Sequence, residues 1–371
     1  MLLMTPGPTP VPEFIRLAMA GETLHHRTPE FEAIFGRARD ALKRFMKTEE
    51  ILFLAATGSG AMEACMLNFC GTRALTINAG KFGERFTKIA KTYGKNPVEL
   101  KYPWHTPASV EDVADALRAN PDVDALFIQV CESAGGLRHP VEAIASAARA
   151  VRPDIFVVAD GITAVGVEPI NVQNIDALIT GSQKAFMLPP GLAMMGLSAR
   201  AVAHLEKTGG AGFYFNLMTE LKNQRKNTTA WTAATTLIQG LDAMLAHIES
   251  IGEEAFYADT RRRHSAGLEA LRALKVDIYP QTPALSMLSV YHPKAAQLRK
   301  WMKKEANVNA AGGQDDLKDT LMRINNMGLV SAHEIAWSIN AFEIAMEKLG
   351  DRKYDGTGMR VFTQSYYKET K

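Results

Sequence analysis

The sequence predicts an α/β protein: a large three-layer domain built on a mostly parallel sheet, followed by a smaller α+β domain. Two observations carry that expectation. Between about residues 50 and 200, seven short, apolar, β-rich runs alternate with turns and stretches of helical spacing. Near-continuous apolar strands separated by helices belong to a parallel sheet covered on both faces. After residue 210 the alternation gives way to long helical stretches and then to a short mixed region. A chain of 371 residues, 47% hydrophobic, can bury a core in each unit.

The expected strands are, in order, "ILFLA" (51–55), "ALTIN" (74–78), "VELKY" (98–102), "DALFIQV" (124–130), "DIFVVAD" (154–160), "IDALIT" (175–180) and "LAMMGLS" (192–198). Helices are expected over 231–249 and 252–274. Then "VDIYP", "LSMLSVY" and "TLMRINN" read as strands, while "KAAQLRKWMKKEA" and "SAHEIAWSINAFEIAMEKL" show amphipathic helical spacing. The expected division is a large domain over 1–250, including the N-terminal segment, a small α+β domain over 251–350 and a polar tail over 351–371. That tail has aromatic residues, so it is read as either exposed or docked.

Composition narrows the function. With 42 Lys and Arg against 40 Asp and Glu, and no basic run, nothing points to a nucleic acid or an acidic membrane. A small-molecule ligand is expected instead. Cys65, Cys70 and Cys131 lie in apolar stretches without CxxC spacing, which reads as core thiols rather than a disulfide framework or a zinc site, and no metal is expected. The first residues, "MLLMTPGPTPVPEFI", lack a basic leader and break on prolines, and no run approaches the roughly 20 apolar residues of a membrane span. A cytoplasmic protein is the expectation.

The stretch "NIDALITGSQKAFMLPPGLA" delivers Lys184 to the carboxyl end of an apolar strand, where ligands bind in open parallel sheets. Other strand ends carry residues that suit the same ligand. Thr57, Gly58, Ser59 and Gly60 form a hydroxyl-rich turn opening into a helix, a phosphate site. Asp160 tips the strand 154–160 and suits a ligand nitrogen kept protonated, with Ile162 two residues on. Ser133 follows the strand 124–130, and Phe82 offers a flat face to an aromatic ring. Taken alone, each has an ordinary reading: a connecting turn, a helix N-cap, a core phenylalanine, a solvated lysine. Phosphate site, acid, hydroxyl, stacking face and lysine together describe pyridoxal 5'-phosphate, whose aldehyde a lysine binds as a Schiff base.

The chain resembles the class V aminotransferases of fold type I, in the alanine/serine–glyoxylate (serine–pyruvate) group. The resemblance rests on "TPGPTPVP", "ATGSGAMEA", "ESAGGLRHP", "VVADGITAVG", "TGSQKAFMLPPGLA" and "LMRINNMG", which cover nearly the whole chain. It implies that Lys184 is the Schiff-base lysine and that Asp160 pairs with the pyridine nitrogen. Thr57, Gly58, Ser59 and Gln183 then surround the phosphate, Phe82 and Ile162 cover the two ring faces, and Ser133 contacts the cofactor. Arg323 occupies the position of the arginine that clamps the substrate α-carboxylate. The resemblance also implies a homodimer in which Asn227 and Thr228 reach the partner's phosphate, although Thr229 and Arg225 depart from the pattern around them.

The implied reaction is transamination between alanine or serine and glyoxylate or pyruvate, by a ping-pong mechanism through pyridoxamine phosphate. A single clamp, Arg323, points to monocarboxylic substrates, unless Arg27 or Arg225 enters the pocket and admits a dicarboxylate such as aspartate. A cysteine desulfurase would need a later cysteine, and none follows Cys131. A non-catalytic subunit retaining the fold would not need Lys184, Asp160 and Arg323 together. The pair His25 and His26 beside Arg27 reads as surface or interface, and His139 as a turn residue.

Overall fold

A computed structural model describes residues 1–368. All seven expected runs form one sheet, ordered Glu50–Leu54, Ala193–Leu197, Ala177–Gly181, Phe156–Asp160, Val123–Gln129, Arg73–Asn78 and Val98–Lys101. Every pairing is parallel except those of Ala193–Leu197, which runs antiparallel to both neighbours.

Both faces of the sheet are buried except at the edge strand Val98–Lys101, and its inner strands therefore read as continuous apolar runs. Phe53, Leu126, Ile128, Val157 and Met194 pack with Phe31, Phe35, Ile238 and Leu241 of the helices Pro29–Met46 and Thr235–Ile251. Leu52, Leu54, Phe127, Val158 and Met195 point the other way, onto the helices Gly58–Phe69, Lys81–Thr92 and Ala199–Thr208. Helix starts follow local signals. Thr28 accepts a hydrogen bond from the Phe31 N–H just ahead of Pro29, and Ser331 forms a capping box with Glu334.

A second sheet runs in the order Leu2–Met4, Val308–Gly312, Leu321–Asn325, Met287–Tyr291, Asp277–Ile278. Met4, Leu288, Ile324, Leu298 and Phe342 share its core with residues of the helices Glu253–Ala273, Ala295–Glu305 and Ala332–Lys348. Two segments differ from the sequence reading. The first residues were placed with the large unit, but Leu2 pairs in parallel with Val308, inside this smaller sheet. A three-residue edge strand has too little pattern to reveal a partner some 300 residues away. Val308–Gly312, "VNAAG", was also not expected as a strand, because its small residues carry little β preference. The tail forms the helix Thr357–Tyr366, which docks on the helices Glu253–Ala273 and Ala332–Lys348 and buries Phe362. The last residues of the tail, 369–371, lie outside the described residues.

Candidate active site

At the carboxyl ends of the large sheet, Thr57, Gly58, Ser59, Phe82, Ser133, Asp160, Ile162, Gln183 and Lys184 line one cavity of about 230 Å³. Each arrives by its own connection. Thr57 begins the helix Gly58–Phe69, and its side chain makes no capping bond, so the hydroxyl stays available at the positive end of the helix. Gly58 is needed for packing: a Cβ there would run into the Ile162 side chain, 2.9 Å from Cγ1. Asp160 ends its strand 4% exposed, and its Oδ1 accepts from the Ile162 N–H at 2.9 Å. Burial pushes its pKa up to about 6, against that hydrogen bond and the charges of Arg85 and Lys184.

Lys184 sits in the turn after Ala177–Gly181. Ser182 braces that turn, donating to the Pro189 carbonyl (2.7 Å) and accepting from the Leu192 N–H (3.3 Å). The N-terminal segment closes over it: Thr9 donates to the Gln183 and Lys184 carbonyls, and Lys184 Nζ donates to the Pro6 carbonyl at 2.7 Å. Gly7, at φ +95°, lies against the lysine, where a Cβ would stand 2.6 Å from Cδ and 2.7 Å from Cε. Burial, then the positive charge of Arg323, lowers the Lys184 pKa to about 8. A buried lysine and a buried aspartate thus face one space, each displaced toward its neutral form.

Arg323 stands on the central strand of the smaller sheet, 9% exposed. Its guanidinium donates to the Gly312 carbonyl (Nε at 2.9 Å, Nη2 at 2.6 Å) and, through Nη1, to the Ser133 carbonyl. These acceptors are neutral, and desolvation lowers its pKa to about 10. It forms no ion pair with a carboxylate among the described residues.

Asn227 and Thr228 do not line the cavity of their own chain; the Asn227 amide packs against Gly36. Arg225 is tied to Glu50 at 2.8 Å and Glu206 at 2.7 Å, away from the cavity, and Arg27 is exposed. The His25 and His26 rings lie tilted against each other, 4.6 Å between centroids. His139 is fully buried and accepts from the Ala108 N–H, with its pKa lowered to about 4 by desolvation. The three cysteines are free and buried; Cys131 also borders the cavity, its pKa pushed up to about 11 by burial.

The sequence reading missed Arg85 and Glu132. The Arg85 guanidinium lies 4.7 Å from the centre of the Phe82 ring and donates to Ser59 Oγ at 2.8 Å. Its signal was the three-residue spacing from Phe82, which puts both on one helix face. Glu132 lay within the "CESAGG" stretch, but nothing in that pattern shows that its side chain is buried.

Residues 13–327 match the family "Aminotransferase class-V". An uncharacterized aminotransferase of Helicobacter pylori is 46% identical over 368 residues, covering 99% of this chain and all of that protein. A serine–glyoxylate aminotransferase of Methylorubrum extorquens is 26% identical, covering 99% and 96% of the two chains. The crystal structure of a subgroup IV aspartate aminotransferase from Thermus thermophilus superposes with a TM-score of 0.87 at 30% identity, covering 94% and 99%. No helix among the described residues is long and apolar enough to cross a membrane. With the fold type I architecture, these matches make the chain an enzyme of the class V aminotransferase family, whose members in general depend on pyridoxal phosphate.

Proposed function

We propose that this enzyme transfers an amino group between a small amino acid, alanine or serine, and a small 2-oxo acid, glyoxylate or pyruvate, in a two-half-reaction cycle with pyridoxal 5'-phosphate. The observation that carries the reading is the pairing of Lys184 and Asp160 across one cavity, both buried and both shifted toward neutrality. The residues present fit the cofactor. A cationic ring nitrogen would relieve the desolvated Asp160, and a phosphate would meet the uncapped Thr57 hydroxyl together with Gly58, Ser59 and the Gln183 amide N–H. Arg85, at Ser59, adds positive charge there. Phe82 and Ile162 would cover the ring faces, and Ser133 would contact its edge. When bound, pyridoxal phosphate supplies an electron sink for the carbanion at the substrate α-carbon.

The protein's own groups do the rest. Arg323 exchanges a carbonyl contact for the substrate α-carboxylate, fixing the α-carbon between the lysine and the ring. Lys184 Nζ holds and returns the α-proton, a task suited to an amine with pKa near 8. A homodimer belongs to the same reading, with Asn227 and Thr228 serving the partner's phosphate. In the same stretch Phe213 packs at a tilt against Trp231, 4.9 Å between ring centroids, with 80% of its surface exposed, an aromatic face that suits a second copy. A cytoplasmic setting suits three free thiols.

The test is spectroscopic. A visible cofactor band that borohydride fixes onto Lys184, and that L-alanine or L-serine bleaches with release of the corresponding 2-oxo acid, is expected. A protein that takes up pyridoxal phosphate without answering either amino acid would refute the substrate assignment. Aspartate as donor is the second reading, favoured by the likeness to the Thermus aspartate aminotransferase. Side-by-side donor titration separates the two.

A further inference from the structure

Glu132 is a fully buried carboxylate for which the transamination reading has no use. It lies in the short antiparallel pair Cys131–Glu132 and Leu137–Arg138, immediately before Ser133. Its Oε2 accepts from the Phe82 N–H at 2.9 Å and the Gly83 N–H at 2.8 Å, and its Oε1 accepts from the Ala134 N–H at 3.0 Å. The helix Lys81–Thr92 has no side-chain cap of its own at Gly80. Glu132 therefore supplies, from a different element, the acceptor that the first turn of that helix lacks, with negative charge at the positive end of the helix. Gly80 permits this approach, since a Cβ there would stand 2.6 Å from the carboxyl carbon.

Three site features meet at this one group. The Phe82 ring is fixed by the helix turn that Glu132 caps. Ser133 follows it in the chain, and the Ser133 carbonyl accepts from Arg323 Nη1. Glu132 is also the leading negative charge acting on Arg323. It steadies that cation without an ion pair to it, so the substrate carboxylate has no protein carboxylate to displace. Burial, with the Asp160 charge adding to it, pushes the Glu132 pKa up to about 7 against the pull of the three backbone donors.

We propose that Glu132 is a positioning residue: without touching substrate or cofactor, its carboxylate fixes the Phe82 ring wall and the Ser133–Arg323 pair relative to one another. The proposal rests on the pyridoxal phosphate reading above.

Glu132→Gln tests it. Whichever way the amide turns, its NH2 faces a backbone N–H, so at least one of the three bonds is replaced by a donor–donor clash. In a folded variant the dissociation constant for pyridoxal phosphate on the apoprotein is expected to rise about tenfold, as is the KM for the amino donor, with a smaller change in kcat. The visible circular dichroism of the bound cofactor should weaken. A variant with a lower Tm but unchanged dissociation constant, dichroism and KM would overturn the proposal and leave the transaminase reading standing. A wild-type protein that takes up no pyridoxal phosphate would remove both. Should Glu132→Gln not fold, Gly80→Ala displaces the same carboxylate from outside, and unchanged binding, dichroism and KM in that protein would overturn the proposal equally.

Discussion

Replacing Asp160 with asparagine should make the cofactor-free protein more stable and the enzyme worse. The aspartate is 4% exposed, and its pKa rises from the ordinary 3.8 to about 6, chiefly through desolvation. That difference, at about 1.4 kcal/mol per pH unit, is about 3 kcal/mol. The sign follows from proton linkage. Below pH 3.8 the group is protonated both folded and unfolded and contributes nothing. Between 3.8 and about 6 only the unfolded chain ionises, so stability falls as pH rises; above 6 the full penalty is present and constant. Asparagine resembles the protonated acid and can keep the hydrogen bond from the Ile162 N–H.

Urea unfolding of both apoproteins from pH 5 to pH 8 should therefore show Asp160→Asn gaining about 2 to 3 kcal/mol at pH 8, and progressively less toward pH 5. Added pyridoxal phosphate should reverse the order, because a cationic ring nitrogen stabilises the aspartate and not the amide. Turnover should fall by a factor of about 100 or more, the ring nitrogen having lost the anion that keeps it protonated. An apoprotein that is destabilised by Asp160→Asn, or whose gain is independent of pH, would refute the account of Asp160 as a desolvated anion awaiting a cation.

Three further outcomes follow from the same geometry. Arg323→Lys keeps a charge but loses the planar fork, so the KM for the amino donor should rise about tenfold or more with the fold intact; an unchanged KM would mean that the carboxylate binds elsewhere. In the apoprotein, acylation of Lys184 followed by peptide mass analysis should show a midpoint near pH 8, and one above pH 10 would contradict its burial. Gly7→Ala forces a side chain into a left-handed backbone region and onto the lysine, costing about 1 to 3 kcal/mol of stability and slowing turnover, and an unaltered Tm would show that the N-terminal segment does not close over the site as described.

What the sequence determined by itself is local or periodic. The apolar runs specified the strands of the large sheet, because its inner strands, buried on both faces, must be apolar throughout; the half-buried edge Val98–Lys101 was legible by its β-rich place in the alternation. Chain order then put the ends "VVAD", "TGSQK" and "ATGSG" on one rim, since parallel strands joined by helices all finish on the same side. That is why Lys184, Asp160 and the Thr57–Ser59 turn could be grouped from spacing alone. The tertiary structure decided what depends on distant partners. Leu2–Met4 becomes a strand only against Val308–Gly312, and the same N-terminal segment brings the Pro6 carbonyl to Lys184. Arg323 reaches the large unit by a hydrogen bond to the Ser133 carbonyl and by its charge, which faces Glu132 and Lys184. Glu132 gave no sign in sequence, because its meaning is the three N–H groups that fill its carboxylate, two of them about 50 residues away. Periodicity records which residues are buried; how a buried charge is satisfied is set by backbone groups that every residue carries alike, so only the folded chain reveals it.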